Sequence, residues 1–176
     1  LDVEQMKRYC LLHEIDNETR ELSNAGGYQS NNLNGEFPDL NDLFVEINEH
    51  ANNFSKTLQL GKCQLDNVWI NVNRFGHYNK PHIHGECVIS GVYYIATPEN
   101  CGNIEFKHPS AYWIDVEWKP HANNNYNSAM WTMPSVADTL YLFPPWLTHS
   151  VQPSQNKNEP RVSISFNMEL DKRVVL

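Results

Sequence analysis

The sequence predicts a mostly β protein, a jelly-roll barrel backed by N-terminal helices. Two observations support this fold class. Apolar residues recur at helical spacing only before Lys62, and the chain after Lys62 consists of short runs rich in Val, Ile, Tyr, Trp and Phe, separated by Pro, Gly, Asn and Ser. A length of 176 residues fits one domain. We expect residues 1–62 to supply helical support and a loop, and residues 63–170 to form the barrel core.

Two amphipathic helices are predicted at the start of the chain. The first runs from Asp2 to about Leu22, where apolar residues follow a helical period. The second, from Asp39 to Leu60, has apolar residues at i+3 and i+4 throughout and is the clearest helix in the sequence. Residues 23–38 between them are polar and contain Gly-Gly and Asn-Gly pairs, which indicates a loop.

Eight short strands are predicted for the barrel. In chain order they cover residues 64–75, 87–96, 102–106, 112–118, 129–133, 139–143, 149–152 and 161–168. The first and last of these strands alternate, with one polar face and one face of Val, Ile, Phe or Met. In an ordinary sandwich such polar faces point to solvent. In the alternative arrangement, the apolar faces pack on the helices and the polar faces line a cavity inside the barrel.

Composition and charge exclude several classes of protein. Lys plus Arg number 13 and Asp plus Glu number 21, and the resulting net charge of −8 argues against a nucleic-acid partner. No stretch approaches the roughly 20 apolar residues of a membrane helix. The four cysteines lie far apart, without a C-x-x-C pair. The sequence therefore predicts a soluble, cytoplasmic protein with reduced thiols and neither a nucleic-acid nor a membrane partner.

Three histidines are candidate metal ligands. His82 and His84 form an H-x-H pair, and if a strand begins there, both project to one face together with Glu86 and Tyr94. Imidazole is the commonest metal ligand among side chains. His149 opens a later strand and would supply a third ligand from across the barrel. Because the chain has eight histidines, an H-x-H pair alone is weak evidence.

A receptor for a carboxylate is predicted at the start of the last strand. Arg161 and Ser163 lie on one face of this strand. A guanidinium with a hydroxyl beside it binds a carboxylate in a bidentate manner. The other interpretation of Arg161 is a salt bridge to an acidic residue at the end of the barrel.

Several motifs taken together resemble a known family. They are Ser23–Ser30 (SNAGGYQS), Trp69–Asn71 (WIN), Gly76, His82–His84 (HIH), Ser90–Tyr94 (SGVYY), Phe143–His149 (FPPWLTH) and Arg161–Asn167 (RVSISFN). This pattern is similar to that of 2-oxoglutarate- and Fe(II)-dependent oxygenases, closest to a phage and bacterial subgroup related to the prolyl hydroxylases. The resemblance implies a double-stranded β-helix and a dioxygenase that uses Fe(II), 2-oxoglutarate and dioxygen to hydroxylate a peptidyl side chain or a small molecule.

For the metal, the resemblance implies that His82 and His149 bind iron. The wider superfamily adds a carboxylate from an H-x-D/E motif, but His84 stands at that position. Two ligand sets are open: His82, His84 and His149, which we favour because the close subgroup keeps H-x-H, or His84, Glu86 and His149. Three imidazoles also suit zinc, so the native metal is open as well.

For the cosubstrate, the resemblance implies that Arg161 holds the distal carboxylate of 2-oxoglutarate, with help from Ser163. Tyr94 matches a tyrosine that donates a hydrogen bond to this carboxylate in prolyl hydroxylases. Asn71 is a further candidate for contacting the cosubstrate.

Two other classes of protein fit parts of the pattern. A cupin-like metalloprotein would use the same three-histidine site without 2-oxoglutarate, and Gly76, His82 and His84 echo the first cupin motif. The later glutamate of that motif has no counterpart, since Val88 and Ile89 occupy its place. A non-catalytic jelly-roll binding module would have no metal affinity, and its histidines would be incidental.

Overall fold

The computed structural model describes residues 1–33 and 37–171. Its helices are α1 (Val3–Asp16), α2 (Asn41–Thr57), preceded by a 3-10 turn at Pro38–Leu40, and α3 (Ala111–Trp113), which continues as a π-helical turn over Ile114–Trp118. Its strands are β1 (Asn24–Ala25), β2 (Tyr28–Gln29), β3 (Cys63–Asn73), β4 (Tyr78–His82), β5 (Ile89–Ala96), β6 (Ile104–Lys107), β7 (Met130–Met133), β8 (Thr139–Phe143), β9 (His149–Val151) and β10 (Arg161–Leu170). In this part of the chain, no helix has the length and hydropathy to cross a membrane.

The strands form two five-stranded antiparallel sheets. One sheet has the order β1-β4-β9-β6-β7 and the other the order β2-β3-β10-β5-β8. The longest pairing joins β3 to β10, from Asn73 opposite Arg161 to Cys63 opposite Leu170. Because the chain passes repeatedly from one sheet to the other, the sheets wind into a double-stranded β-helix. The predicted fold class, a mostly β jelly-roll barrel with N-terminal helices, is confirmed.

The apolar faces of β3 and β10 pack against α1 and α2. The buried side chains of this core include Met6, Cys10, Leu43, Ile47 and Ala51 from the helices, and Val68, Ile70, Val72, Ile164 and Phe166 from the strands. Full burial of one large aliphatic side chain contributes about 1.5–3 kcal/mol. The helices therefore back the barrel through one shared hydrophobic core.

The polar faces of the same two strands point into a cavity between the sheets. Asn71 of β3 and Ser163 and Ser165 of β10 line this cavity. The register places Asn71 opposite Ser163, and Trp69 opposite Ser165, on the same inner face. Of the two arrangements that the alternation allowed, the structure has the one in which the polar faces line an internal cavity.

Helix α1 is shorter than predicted. It ends at Asp16 instead of near Leu22, and the side-chain amide of Asn17 donates to the carbonyl oxygen of His13 at 2.9 Å. A side chain thereby satisfies one of the carbonyl groups that a helix leaves unpaired at its end. Helix α2 lies within its predicted range.

Two predictions about strands are wrong. Residues 112–118 are helical, and Tyr112, Trp113 and Trp118 are largely exposed. Aromatic residues favour strands only where they pack on a half-buried sheet surface, which this segment lacks. The prediction also missed β4, in which Pro81 and the absence of alternation hide the strand signal.

The connection between β4 and β5 also differs from the prediction. We expected a strand over residues 87–96 and a common face for His82, His84 and Glu86. Instead, β4 ends at His82 and β5 begins at Ile89, so His84 and Glu86 lie in an irregular connection. The pairing of the two histidines therefore arises from a turn and not from strand periodicity.

Residues 19–33, called the strap here, join the two sheets at one end of the barrel. Strand β1 pairs with β4, placing Asn24 opposite Asn79, and β2 pairs with β3, placing Gln29 opposite Asn71. The turn between β1 and β2 contains Gly26 at φ +65°, where a Cβ atom would lie 2.6 Å from the imidazole of His77. Only glycine fits this left-handed backbone and this close approach.

Beyond β2, the strap continues to satisfy the backbone of β3. The N–H groups of Ser30 and Leu33 donate to the carbonyl oxygens of Ile70 and Val68 at 3.0 and 2.8 Å. In return, Ser30 Oγ and Asn32 Oδ1 accept from the N–H groups of Ile70 and Val68 at 3.0 and 2.7 Å. Side chains of the strap thus supply the remaining hydrogen bonds to the backbone of β3 where the strap itself is not a regular strand.

Candidate metal centre

Three histidines converge at the mouth of the internal cavity. His82 at the end of β4 pairs with His149 at the start of β9. His84 reaches them from the following turn, where its N–H donates to the carbonyl oxygen of Pro145 at 2.9 Å. Potential ligand nitrogens of the three rings all lie within 4.8 Å of one another, and His84 Nε2 is 3.3 Å from His149 Nε2. This spacing places three imidazole nitrogens around one point.

Backbone carbonyl groups hold two of these rings through their other nitrogen. His82 Nδ1 lies 2.7 Å from the carbonyl oxygen of Lys80, and His149 Nδ1 lies 2.9 Å from that of Leu147. A carbonyl oxygen can only accept, so each Nδ1 carries the proton and donates it. This fixes the tautomer in which Nε2 keeps its lone pair, as metal-ligating histidines require.

Burial keeps the three imidazoles neutral near neutral pH. It is the main cause that lowers the pKa of His84 to about 4 and that of His149 to about 3, and the charge of neighbouring histidines lowers both further. Burial also lowers the pKa of His82, and its contact with Lys80 opposes this shift. Neutral imidazole is the form that binds a metal ion.

Glu86 lies outside this cluster. Its side chain is exposed and its backbone has a left-handed φ of 59°. The metal-competent group among the described residues consists of His82, His84 and His149, without a carboxylate. Of the two ligand sets left open by the sequence, the geometry favours the three histidines.

Replacing Glu86 with alanine is therefore expected to change the Fe(II) affinity by no more than about twofold, because Glu86 lies outside the histidine cluster. Loss of a residue that supports a metal ligand would instead weaken Fe(II) binding by about 10–100-fold. The measurement is equilibrium dialysis of the apo protein against Fe(II) without oxygen. His84→Ala is the matched comparison and should lose the metal. A reversed result, with Glu86→Ala losing iron and His84→Ala keeping it, would exclude the three-histidine set.

Arg161 is a buried cation in the same cavity. Only 2% of its surface is exposed, and its Nη1 donates to the carbonyl oxygens of Cys101 and Gly102 at 2.7 and 3.1 Å. Within residues 1–33 and 37–171, no carboxylate forms an ion pair with it. Burial lowers the pKa of this guanidinium. A buried cation without a counter-ion is unfavourable, so an anionic ligand here would be strongly stabilised.

Polar side chains form a row across the sheet beside Arg161. Asn71, Ser163 and Tyr94 lie directly opposite one another on β3, β10 and β5. Burial raises the pKa of the Tyr94 phenol, and the charge of Arg161 partly opposes this. The phenol therefore stays protonated and can donate. Asn71 Nδ2 donates to Ser165 Oγ at 3.0 Å, which fixes the orientation of its carboxamide.

All of the residues that the sequence favoured for the site line one cavity. These are His82, His84, His149, Arg161, Ser163, Tyr94 and Asn71. Sequence reasoning did not assign a role to Trp69, whose ring centroid lies 5.7 Å from that of His84. Ser23 of the strap, which also lines the cavity, was likewise not singled out. Both fall inside motifs quoted above, but their spacing gave no chemical signal.

Gly102 provides one of the carbonyl groups that orient Arg161, at a left-handed φ of +85°. A Cβ atom there would lie 2.2 Å from the carbonyl oxygen of Gln152 and 3.2 Å from Arg161 Nη1. Gly102→Ala is therefore expected to lower the free energy of unfolding by about 1–3 kcal/mol, measured by urea denaturation. Gly85→Ala, where nothing lies within 4 Å, is the control. Equal stability of the two variants would contradict this prediction.

The residues present fit a metal ion and an anionic cosubstrate. Three neutral imidazoles, two of them with a fixed tautomer, suit Fe(II), and a guanidinium without a counter-ion suits a carboxylate. Together with the double-stranded β-helix, this combination defines the class: a non-haem metal-dependent oxygenase.

Sequence comparison identifies the family. The model of the 2OG-Fe(II) oxygenase family, where 2OG is 2-oxoglutarate, matches residues 67–167, which is more than half of the chain. The chain belongs to this family. It is therefore a 2-oxoglutarate-dependent Fe(II) oxygenase, as its resemblance predicted, and Fe(II) and 2-oxoglutarate are its cofactor and cosubstrate.

Solved structures share the fold at low sequence identity. Pseudomonas putida prolyl-4-hydroxylase aligns with a TM-score of 0.68 and 13% identity, over 97% of this chain and 89% of that chain. The viral collagen prolyl hydroxylase of Paramecium bursaria Chlorella virus-1, solved with 2-oxoglutarate, aligns with a TM-score of 0.63 and 13% identity, over 97% of this chain and 92% of that chain. HygX from Streptomyces hygroscopicus, solved with nickel, 2-oxoglutarate and hygromycin B, aligns with a TM-score of 0.64 and 8% identity, over 98% of this chain and 80% of that chain. No curated protein matches the sequence.

Proposed function

We propose that the chain hydroxylates a peptidyl side chain or a small molecule, with Fe(II) held by His82, His84 and His149. Arg161 binds the distal carboxylate of 2-oxoglutarate. The observation that carries this proposal is the common cavity, which has three convergent imidazoles at its mouth and an unpaired buried guanidinium in its wall. A site for zinc alone would give Arg161 no ligand.

The remaining polar groups orient the cosubstrate. Ser163 and Tyr94 follow Arg161 along the inner face and offer two hydroxyl groups for the same carboxylate. Asn71 lies opposite Ser163; one N–H of its carboxamide donates to Ser165, and the second N–H is available to donate to the cosubstrate. Because these three side chains are buried before binding, and Asn71 is already hydrogen-bonded, little side-chain entropy is lost when the dianion enters.

When bound, Fe(II) and 2-oxoglutarate supply the oxidising chemistry: dioxygen is consumed, 2-oxoglutarate becomes succinate and carbon dioxide, and one oxygen atom enters a substrate C–H bond. The chain provides position and shielding. Phe106 and Phe143 pack against His149, with ring centroids 6.2 and 4.7 Å from its imidazole. These apolar rings exclude water from the inner side of the site.

Both substrate classes have precedents among proteins that share the fold. One solved structure is a prolyl hydroxylase in complex with a peptide fragment of hypoxia inducible factor, from Trichoplax adhaerens. HygX was solved with hygromycin B, a small molecule. These precedents support keeping a peptide and a small molecule as candidate substrates.

An anaerobic titration of the apo protein with Fe(II) and 2-oxoglutarate tests this function. We expect a visible metal-to-ligand charge-transfer band that saturates at one equivalent of each. Glutarate, which lacks the 2-oxo group, is the control and should give no band. Absence of the band with 2-oxoglutarate would contradict the proposal.

A further inference from the structure

A second concave region, called the outer cleft here, opens from the histidine cluster toward solvent. It has a volume of about 370 Å³ and shares Ser23, Trp69, His82 and His84 with the inner cavity. Arg161 lines the inner cavity but not the outer cleft. A molecule in the outer cleft would therefore approach the metal from the side away from the guanidinium.

The outer cleft is rich in carboxamides and carries a positive charge. Gln29, Asn32, Asn67 and Asn167 line it, with Arg20 as its permanently charged residue. No carboxylate among the described residues lines it, and none forms an ion pair with Arg20. A negatively charged molecule with amide groups would match these walls, because carboxamides both donate and accept hydrogen bonds.

Gln29 is the most informative of these residues. Only 4% of its surface is exposed, and its side-chain Oε1 has no hydrogen-bond partner among the described residues. Its backbone is fixed, because its N–H donates to Thr19 Oγ1 at 3.0 Å and its carbonyl oxygen accepts from the Arg20 N–H at 2.8 Å. Buried polar atoms in native proteins almost always have partners, and an exception requires an explanation.

Two asparagines complement this acceptor with donors. Asn167 Oδ1 accepts from Ser90 Oγ at 2.8 Å, and Asn32 Oδ1 accepts from the Val68 N–H at 2.7 Å. With their oxygens engaged, these carboxamides offer their N–H groups to the cleft. The lining thus contains one buried acceptor without a partner, amide donors and an exposed cation.

We propose that the outer cleft binds the substrate and that the substrate is an anion bearing an amide N–H. Gln29 Oε1 accepts a hydrogen bond from this N–H, and Arg20 pairs with the negative charge. This inference rests on the proposed function, because it places the substrate beside the metal. An acylated amino acid and an acidic peptide segment share this chemistry.

The test uses the protein loaded with Mn(II) and saturating 2-oxoglutarate, in which the paramagnetic metal broadens the NMR signals of molecules bound beside it. N-acetylglycine is the first probe, and its acetyl methyl signal is observed. N-acetylsarcosine is the matched probe, since it has the same charge but a methyl group in place of the amide hydrogen. We expect N-acetylglycine to bind about tenfold more tightly than N-acetylsarcosine, because its N–H gives Gln29 Oε1 a hydrogen-bond partner and N-acetylsarcosine leaves this oxygen unpaired.

Gln29→Met removes the acceptor at similar volume. In this variant we expect N-acetylglycine to lose about tenfold in affinity and the two probes to bind equally. Because Gln29 Oε1 is unpaired without substrate, the melting temperature should stay unchanged or rise. Gln155→Met, at an exposed position outside the cleft, is the control. Arg20→Met should weaken both probes equally, because both carry the carboxylate.

A capped tripeptide, acetyl-Gly-Asp-Gly-amide, distinguishes the two sources of this chemistry. Tighter binding than N-acetylglycine assigns the cleft to protein segments, and weaker binding assigns it to small acylated amino acids. Equal binding of N-acetylglycine and N-acetylsarcosine to the unaltered chain, or discrimination that persists in Gln29→Met, overturns the inference. If the same apo preparation, loaded with Fe(II) and 2-oxoglutarate in a separate sample, gives the charge-transfer band, such a result concerns the outer cleft alone; if the band is absent, the proposed function has failed.

Discussion

Replacing His149 with alanine is expected to weaken Fe(II) binding by more than about 100-fold. Loss of a group that only supports a metal ligand already costs about 10–100-fold, and loss of the ligand itself costs more. The ring of His149 forms a triangle with the other two, with centroid distances of 4.2 Å to His82 and 5.0 Å to His84. Its removal leaves His82 at the end of β4 and His84 in the turn that follows, and no ligand from β9. Metal content after equilibrium dialysis without oxygen is the measurement.

Two further variants separate metal loss from unfolding. His149 is buried against Phe143, so alanine leaves a void and also lowers stability. His82→Ala is less disruptive, because His82 is half-buried, and it should lose the metal as well. His121→Ala, at an exposed histidine, should keep it. If both His149→Ala and His82→Ala fold and bind Fe(II) with unchanged affinity, the three-histidine site is wrong.

Replacing Arg161 with alanine is expected to weaken 2-oxoglutarate binding about 10- to 150-fold while Fe(II) affinity is unchanged. The lost charge-assisted contact is worth about 1.5–3 kcal/mol, which corresponds to that range. The observable is the 2-oxoglutarate concentration at half of the maximal charge-transfer band. Fe(II) affinity is measured separately, without 2-oxoglutarate, so that loss of the metal and loss of the cosubstrate are distinguished.

Arg161→Lys refines this prediction, because lysine keeps the charge and loses the planar two-pronged donor. We expect its affinity for 2-oxoglutarate to lie between those of the original chain and Arg161→Ala. Arg74→Ala is the control, since Arg74 forms an ion pair with Glu14 at the surface. Unchanged 2-oxoglutarate affinity in Arg161→Ala would mean that the cosubstrate carboxylate binds elsewhere.

Much of the fold follows from local patterns in the sequence. Alternation in β3 and β10 was sufficient to predict one polar and one apolar face, because side chains on a strand alternate strictly, but it left open whether the polar faces meet solvent or line a cavity. The structure brings the three predicted histidines together, but not for the reason that the sequence analysis gave. His82 and His84 meet because the chain turns after β4, and the strand periodicity that we assumed from His82 to Tyr94 is interrupted before Ile89.

The features that sequence reasoning missed depend on distant contacts. Strands β1 and β2 have two residues each, too few to show any period, and they exist because β4 and β3 offer partners. Residues 112–118 have strand-like composition but no sheet surface to cover. The role inferred for Gln29 rests on a missing hydrogen bond, and no sequence pattern reveals a partner that is absent.

The strap has a consequence for solubility during folding and in the native state. Strand β3 is the longest strand in the described part of the chain, and without the strap its outer side would present unpaired N–H and C=O groups to other molecules. Such an open edge is a template for strand addition and aggregation. Pairing by β2 and the hydrogen bonds of Ser30, Asn32 and Leu33 occupy this edge from Val68 to Val72. Shortening the strap would thus expose an aggregation-prone edge even if the barrel still formed.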